Sequence, residues 1–172
     1  MAEGIILSIP PIAKPTLHAI AYLDLLGTTA KIAHDEHDHY LFSIYTIYNM
    51  AVQACENEKL SGLGFNKIKT KIFSDNIIMA IPLESDHDID AICCLLKFVS
   101  QFQNYASISY SWLVRGSVTI GNIFLDEMLV WGSGLVRSYE LENHIAIYPR
   151  ILIDHNVLDL IGVNTYLSCN HA

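Results

Sequence analysis

Basic residues are scarce in this chain. Lys and Arg number 10 against 18 Asp and Glu, giving a formal net charge of −8. A face that grips nucleic acid needs clustered Lys and Arg, so this balance argues against a nucleic-acid partner. Charge of either sign is thin: 16% of residues are charged and 52% are hydrophobic, which argues against disorder. The four cysteines, Cys55, Cys93, Cys94 and Cys169, show no CxxC spacing. Reduced core thiols in a cytoplasmic protein are therefore expected. No apolar run is long enough for a membrane span. Residues 4–12 are apolar but short, broken by Pro10 and Pro11, and preceded by no basic leader, so neither insertion nor a signal peptide is expected. No internal repeat or low-complexity tract is visible. At 172 residues the chain suits one domain with a sizeable core, read as an irregular arm over 1–14 and a single domain over 15–172.

What is present centres on two carboxylates. Ile20-Ala-Tyr-Leu-Asp-Leu-Leu-Gly-Thr-Thr29 and Lys71-Ile-Phe-Ser-Asp-Asn-Ile-Ile-Met-Ala80 each place one aspartate, Asp24 or Asp75, at the end or turn of an apolar strand. Burying an unpaired charge is costly. Either a cation pairs with each carboxylate or the strand end opens into a site. The expectation is two adjacent strands whose aspartates share a divalent metal site. Taken singly, Asp24 also reads as a strand-end cap and Asp75 as a hairpin-turn residue.

Periodicity supplies the elements. A strand is expected over about 16–25, with Ala19, Ala21, Leu23 and Leu25 on one face and His18, Ile20, Tyr22 and Asp24 on the other. Gly27 allows a sharp turn, and Thr28 or Thr29 caps one long helix reaching about Glu58, with Leu41, Ile44, Tyr45, Tyr48, Val52 and Cys55 as its buried stripe. Residues 61–64 end it. Two strands follow, 68–73 and 76–81, with a tight turn at Ser74-Asp75. Ser85 caps a second helix, with Ile89, Ile92, Cys93, Leu96 and Val99 inward. A strand over 112–120 carries Arg115, Ser117 and Thr119 on its polar side, and Gly121-Asn122 reads as a hairpin turn into 123–125. A helix over 133–143, a strand over 145–153 interrupted by Pro149, and a short helix at 157–161 close the chain. The order β-α-β-β-α-β implies an α+β fold with helices on one face of a mainly antiparallel sheet. Asp24, Lys71, Asp75 and Arg115 would converge on the other face, which Phe73 and Tyr22 make too apolar to stay bare. A second subunit packing there is expected.

These stretches resemble a known family. Tyr22-Leu-Asp-Leu-Leu-Gly27, Phe73-Ser-Asp-Asn-Ile-Ile78 and Val114-Arg-Gly-Ser-Val-Thr-Ile-Gly121 stand in the order and spacing of class III nucleotidyl cyclase catalytic domains. Trp131-Gly-Ser-Gly-Leu-Val-Arg-Ser-Tyr-Glu-Leu-Glu142 and Tyr148-Pro-Arg-Ile151 resemble one branch, the bacterial pyrimidine cyclases of anti-phage defence. The resemblance implies the ferredoxin-like cyclase fold and a homodimer with composite active sites. It implies a UTP or CTP substrate turned into the 3′,5′-cyclic monophosphate and pyrophosphate, with two Mg²⁺ or Mn²⁺ ions per site. Asp24, Asp75 and the carbonyl of Leu25 match the metal ligands. The turn Leu26, Gly27, Thr28 and Thr29 matches the segment whose amides hold the triphosphate, and Lys71 the lysine that contacts the base, with Phe73 beside it. Where the purine enzymes carry an Asn and an Arg on the helix after the Trp-Gly loop, this chain has Val136 and Glu140. Their base-reading acidic position is Leu129 here, and their C-terminal phosphate-binding lysine has no clear counterpart. These replacements point away from purines.

The chemistry explains the residue types. A ribose 3′-hydroxyl is a poor nucleophile at neutral pH, and metal held by two carboxylates lowers its pKa. Oxygen ligands suit Mg²⁺ or Mn²⁺. A positioned arginine stabilises charge on the phosphoryl oxygens, for which Arg137 is the first candidate and Arg115 the second. Competing readings make Lys71 a solvated strand lysine, Arg115 a structural ion-pair residue and Arg137 a partner of Glu140 or Glu142. His34 to His39 lacks a second ligand pair at a zinc spacing. The alternative to an enzyme is a degenerate cyclase-homology domain that binds a nucleotide or only dimerises.

Overall fold

The computed structural model describes residues 14–57, 64–84 and 88–162. The arm over 1–13, residues 61–63, the Ser85 cap, Cys169 and the tail lie outside the described residues.

The alternating first stretch forms β1 (Thr16–Leu25) at the centre of the sheet. On one side it pairs antiparallel with β3 (Asn76–Pro82), whose outer neighbour is β2 (Lys69–Phe73). On the other side lies β4 (Val114–Leu125), also antiparallel, which carries the short β5 (Val130–Trp131) and, in parallel, β6 (Ile151–Ile153). Ala19, Ala21, Leu23, Ile77, Met79 and Val118 form the main core. Over them pack α2 (His39–Glu56) and α3 (Asp88–Tyr110), which bury Ile47, Tyr48 and Ala51, and Ile92, Leu95, Phe98 and Phe102. Trp112 is wholly buried between them, its indole N–H donating to the Ser43 hydroxyl at 2.8 Å. The layered α+β architecture is the expected one.

The opposite face carries Ile20, Tyr22 and Asp24 of β1, paired in register with Thr119, Ser117 and Arg115 of β4 and with Ala80, Ile78 and Asn76 of β3. Here α4 (Ser133–His144) lies across β1 and β4, with Leu135 packed on a second cluster of Ile20, Ile78, Ala80 and Ile123. The β2–β3 half stays open as one wall of a cleft. The face expected to carry the carboxylates is therefore partly roofed by this chain's own helix. A short α5 (His155–Leu160) completes the fold.

Four local expectations need correction. The first long helix is two, α1 (Thr28–Ala33) and α2, separated by a kink where His37 and Asp38 adopt positive φ of 68° and 57°. Asp35 causes the restart: its carboxylate accepts from the amides of Tyr40 and Leu41 at 2.8 and 3.0 Å, satisfying the first turn of α2. The buried stripes are rotated as well. Leu41, Tyr45, Ile89 and Cys93 are exposed, while Ile47, Ala51 and Leu95 join the expected Tyr48, Cys55, Ile92 and Val99 in the core. Finally, Gly121-Asn122 makes no turn; β4 runs through it, and the last strand spans only three residues after Pro149.

Candidate active site

Asp24 is the penultimate residue of β1 and Asp75 sits in the β2–β3 turn, opened by Ser74 at φ 56°. The strand pairing brings them together. Asp24 is opposite Asn76, and the Leu25 amide donates to the Asp75 carbonyl at 3.0 Å. The Asn76 side-chain amide donates to the Asp75 carboxylate at 3.2 Å. Burial raises the Asp24 carboxyl above its usual range, and the negative charge of Asp75 adds to this; Arg115 opposes both. The charge of Asp75 is felt at Asp24, so the two carboxylates belong to one electrostatic site.

Arg115 stands opposite Asp24 in the β1–β4 register and its Nη2 lies 3.1 Å from Asp24 Oδ2. Its Nε lies 2.5 Å from Oε1 of Glu142, a buried side chain near the end of α4. That second contact is a close ion pair rather than an aligned hydrogen bond. Burial lifts the Glu142 carboxyl, Arg115 pulls it down, and Asp24 and Asp75 push it up again. Tyr22, between these groups and the edge-on ring of Tyr139, has its hydroxyl pushed up to about 12 by burial, then by Glu142 and Asp24. Arg115 was read from sequence; Glu142 was not. A glutamate between Glu140 and His144 on an amphipathic helix reads as solvent-facing, and only the docking of α4 turns it inward.

The donor set fits a hard divalent cation. It offers two carboxylates and, beside them, the Leu25 carbonyl, which already accepts from the Thr28 hydroxyl at 2.7 Å and keeps one lone pair. Among the described residues no three His, Cys, Asp or Glu side chains converge as a metal cage. Any ion here would take its other ligands from substrate or water.

The remaining candidate residues are dispersed around this centre. Gly27, at φ 84°, turns the chain from β1 into α1, and Thr28 and Thr29 begin that helix, where amides lack intrahelical acceptors. The Leu26 amide is already spent on the Leu113 carbonyl at 2.9 Å, so it is not available to a phosphate. Lys71 and Phe73 line an apolar cleft of about 480 Å³ with Tyr22, Asn76, Val136 and Tyr139. The Lys71 ammonium donates to the backbone carbonyls of Asp126 and Glu127 in the β4–β5 loop, at the exposed rim of that cleft. Leu129 lies in the same loop, half exposed, its amide held by the Asp126 carboxylate at 2.7 Å. Arg137 departs most from expectation. It pairs with neither Glu140 nor Glu142 but bidentately with Asp154, both contacts at 2.8 Å. Asp154 also accepts from Thr119, and Thr119 is four residues along β4 from Arg115, roughly 13 Å at strand rise. Arg137 is thus not beside the Asp24–Asp75 pair of its own chain.

No protein-family model matches the chain, and no curated protein is similar to it in sequence. Solved structures are similar in shape. The adenylyl cyclase CyaB from P. aeruginosa superposes with a TM-score of 0.67 at 12% identity, covering 88% of this chain and 82% of that one. The fold is that of a nucleotidyl cyclase domain. The guanylyl cyclase domain of the RhoGC fusion protein from the fungus Blastocladiella emersonii gives 0.66 at 9% identity, with 88% and 86% covered. The guanylate cyclase domain of RhGC from Catenaria anguillulae, solved with GTP, gives 0.62 at 9% identity, with 87% and 84% covered. At such identities the cyclase fold is what is shared.

Proposed function

We propose that this chain is a metal-dependent nucleotidyl cyclase that converts UTP, or CTP, to the 3′,5′-cyclic monophosphate and pyrophosphate. The observation that carries the reading is that β1–β3 pairing brings Asp75 next to Asp24 at the end of β1 in a cyclase fold, with an apolar cleft alongside. Two Mg²⁺ or Mn²⁺ ions held through Asp24, Asp75 and the Leu25 carbonyl would lower the pKa of the 3′-hydroxyl and neutralise the phosphates. The chain's own residues do the rest. Lys71, Phe73 and the Leu129 loop border the base, and Gly27, Thr28 and Thr29 face the triphosphate. Arg115, the cation paired with Asp24, stands beside the reacting phosphate, whereas Arg137 would act in the partner's half of a composite dimeric site. The apolar character of Val136 and Leu129, where purine enzymes carry polar base readers, supports a pyrimidine. The same resemblance supports second-messenger synthesis in the cytoplasm during anti-phage defence; no helix among the described residues is long and apolar enough to cross a membrane.

The test is incubation of the full chain with each of UTP, CTP, ATP and GTP plus Mn²⁺, followed by separation of products. Cyclic UMP or cyclic CMP is expected, falling about a hundredfold or more in Asp24→Asn and Asp75→Asn. No cyclic product from any triphosphate overturns the reading. One observation favours a second reading, a nucleotide-binding module without turnover: Asp24 already has an ion-pair partner in Arg115. Triphosphate binding that survives Asp24→Asn, with no product, would select it.

A further inference from the structure

One guanidinium serves two carboxylates next to the candidate metal site. Arg115 reaches Asp24 Oδ2 at 3.1 Å and Glu142 Oε1 at 2.5 Å, and Asp75 adds a third negative charge alongside. Glu142 is not a third ligand, because no three such side chains converge on one point among the described residues. It comes from a different element, α4, and is almost fully buried at 3% exposure. A buried carboxylate whose ionic partner is shared is an expensive arrangement unless it does something for its neighbour.

Resting on the cyclase reading above, we propose that Glu142 is a positioning residue that sets the divalent-metal affinity of Asp24 by holding Arg115. Asp24 can give its oxygens to a cation only if the guanidinium beside it is neutralised elsewhere. Glu142 does this: it anchors Nε, so Arg115 approaches Asp24 through one nitrogen instead of closing on it as a two-pronged clamp, which is the geometry arginine prefers with an unopposed carboxylate. When a cation binds, Arg115 has a second carboxylate to retire to. Glu142 thus acts as an outer-shell partner supplied from the sheet-facing side of α4, and such partners typically alter metal affinity by about tenfold or more. The docking of α4 thereby tunes the Asp24 site through Arg115.

The two residues must then act with opposite signs. Mn²⁺ binding to the full chain, followed by loss of the free-ion paramagnetic resonance signal, should be weakened about tenfold or more in Glu142→Gln, where Arg115 is free to clamp Asp24. It should tighten in Arg115→Gln, where Asp24 loses its competitor. The double variant Arg115→Gln/Glu142→Gln should bind within a few-fold of the parent chain, since the pair is removed together. Equal weakening in both single variants indicates a merely structural role and overturns the proposal, as does no change in either. Should Glu142→Gln fail to fold by circular dichroism, Arg115→Gln decides alone: no gain in affinity overturns the proposal. Mn²⁺ binding that is absent in the parent chain, or unchanged by Asp24→Asn, removes the cyclase reading and this inference with it. Binding that Asp24→Asn abolishes, without the opposite shifts, sinks the inference alone.

Discussion

Asp24 and Asp154 are both inward-facing carboxylates beside an arginine, yet their surroundings pull them in opposite directions. Asp154 receives two parallel bonds from Arg137, one from the Thr119 hydroxyl and one from the His155 amide. Its carboxyl is pulled down to about 2, chiefly by the Arg137 bonds. Asp24 has a single guanidinium contact against burial and a second aspartate, and is raised. The number of donors decides the sign. Because its folded pKa lies below the unfolded one, Asp154 stabilises the fold above about pH 4, and the contribution vanishes as pH falls through about 2. The gain is about 2 kcal/mol. Asp154→Asn keeps the cap on α5 but loses the ion pair. Its urea midpoint should lie below that of the parent chain at pH 7, and the gap should close on titration towards pH 2. A gap that does not change with pH would contradict this assignment.

At the scale of elements, the position of α4 decides what the open face of the sheet becomes. Two glycines let it approach: a Cβ on Gly121 of β4 would lie 2.5 Å from the Gly134 Cα of α4, backbone against backbone. Neither glycine is a turn residue. Gly121→Ala should push α4 off the sheet and destabilise the chain by about 1–3 kcal/mol, read as a lowered thermal midpoint. It should also weaken Mn²⁺ binding, because Glu142 rides on the same helix; an unchanged midpoint would mean that the helix docks elsewhere. The break between α1 and α2 is also an event at element scale. Asp35 reaches the amides of Tyr40 and Leu41, and that short-range competition outweighs a hydrophobic pattern that reads through as one helix.

On the scale of the whole molecule, apolar surface remains uncovered around the cleft. Of the residues lining it, Phe73 is 78% exposed, Val136 56% and Tyr139 46%. A single large exposed residue needs no explanation, but this grouping beside a half-roofed sheet suits burial against a second copy. We expect the full chain to sediment as a dimer and Phe73→Asp to shift it to monomer with an unchanged circular dichroism spectrum. A parent chain that sediments as a monomer at all concentrations would remove the composite-site part of the proposed function. Within the chain, the proximity of Asp24 and Asp75 is legible in the sequence because one lies on a strand and the other in a hairpin turn whose alternation and tightness fix the register. The Arg137–Asp154 pair is not, since the partners are brought together by β6 and α5, and no local pattern announces a contact between separate elements.

By itself the sequence determined the adjacency of the strands that carry the two aspartates, the shortage of basic charge and the sheet face that Asp24, Lys71 and Arg115 share. Each of these follows from a period of two or from composition, which act along the chain. Only the tertiary structure decided that Glu142 points inward and that Lys71 is tied to the β4–β5 loop. It also decided that Arg137 is spent on Asp154 while Arg115 divides itself between two carboxylates. Those are questions of which charge finds which partner, and a charge in a low-dielectric interior is settled by the nearest opposite charge in space, whatever its distance along the chain.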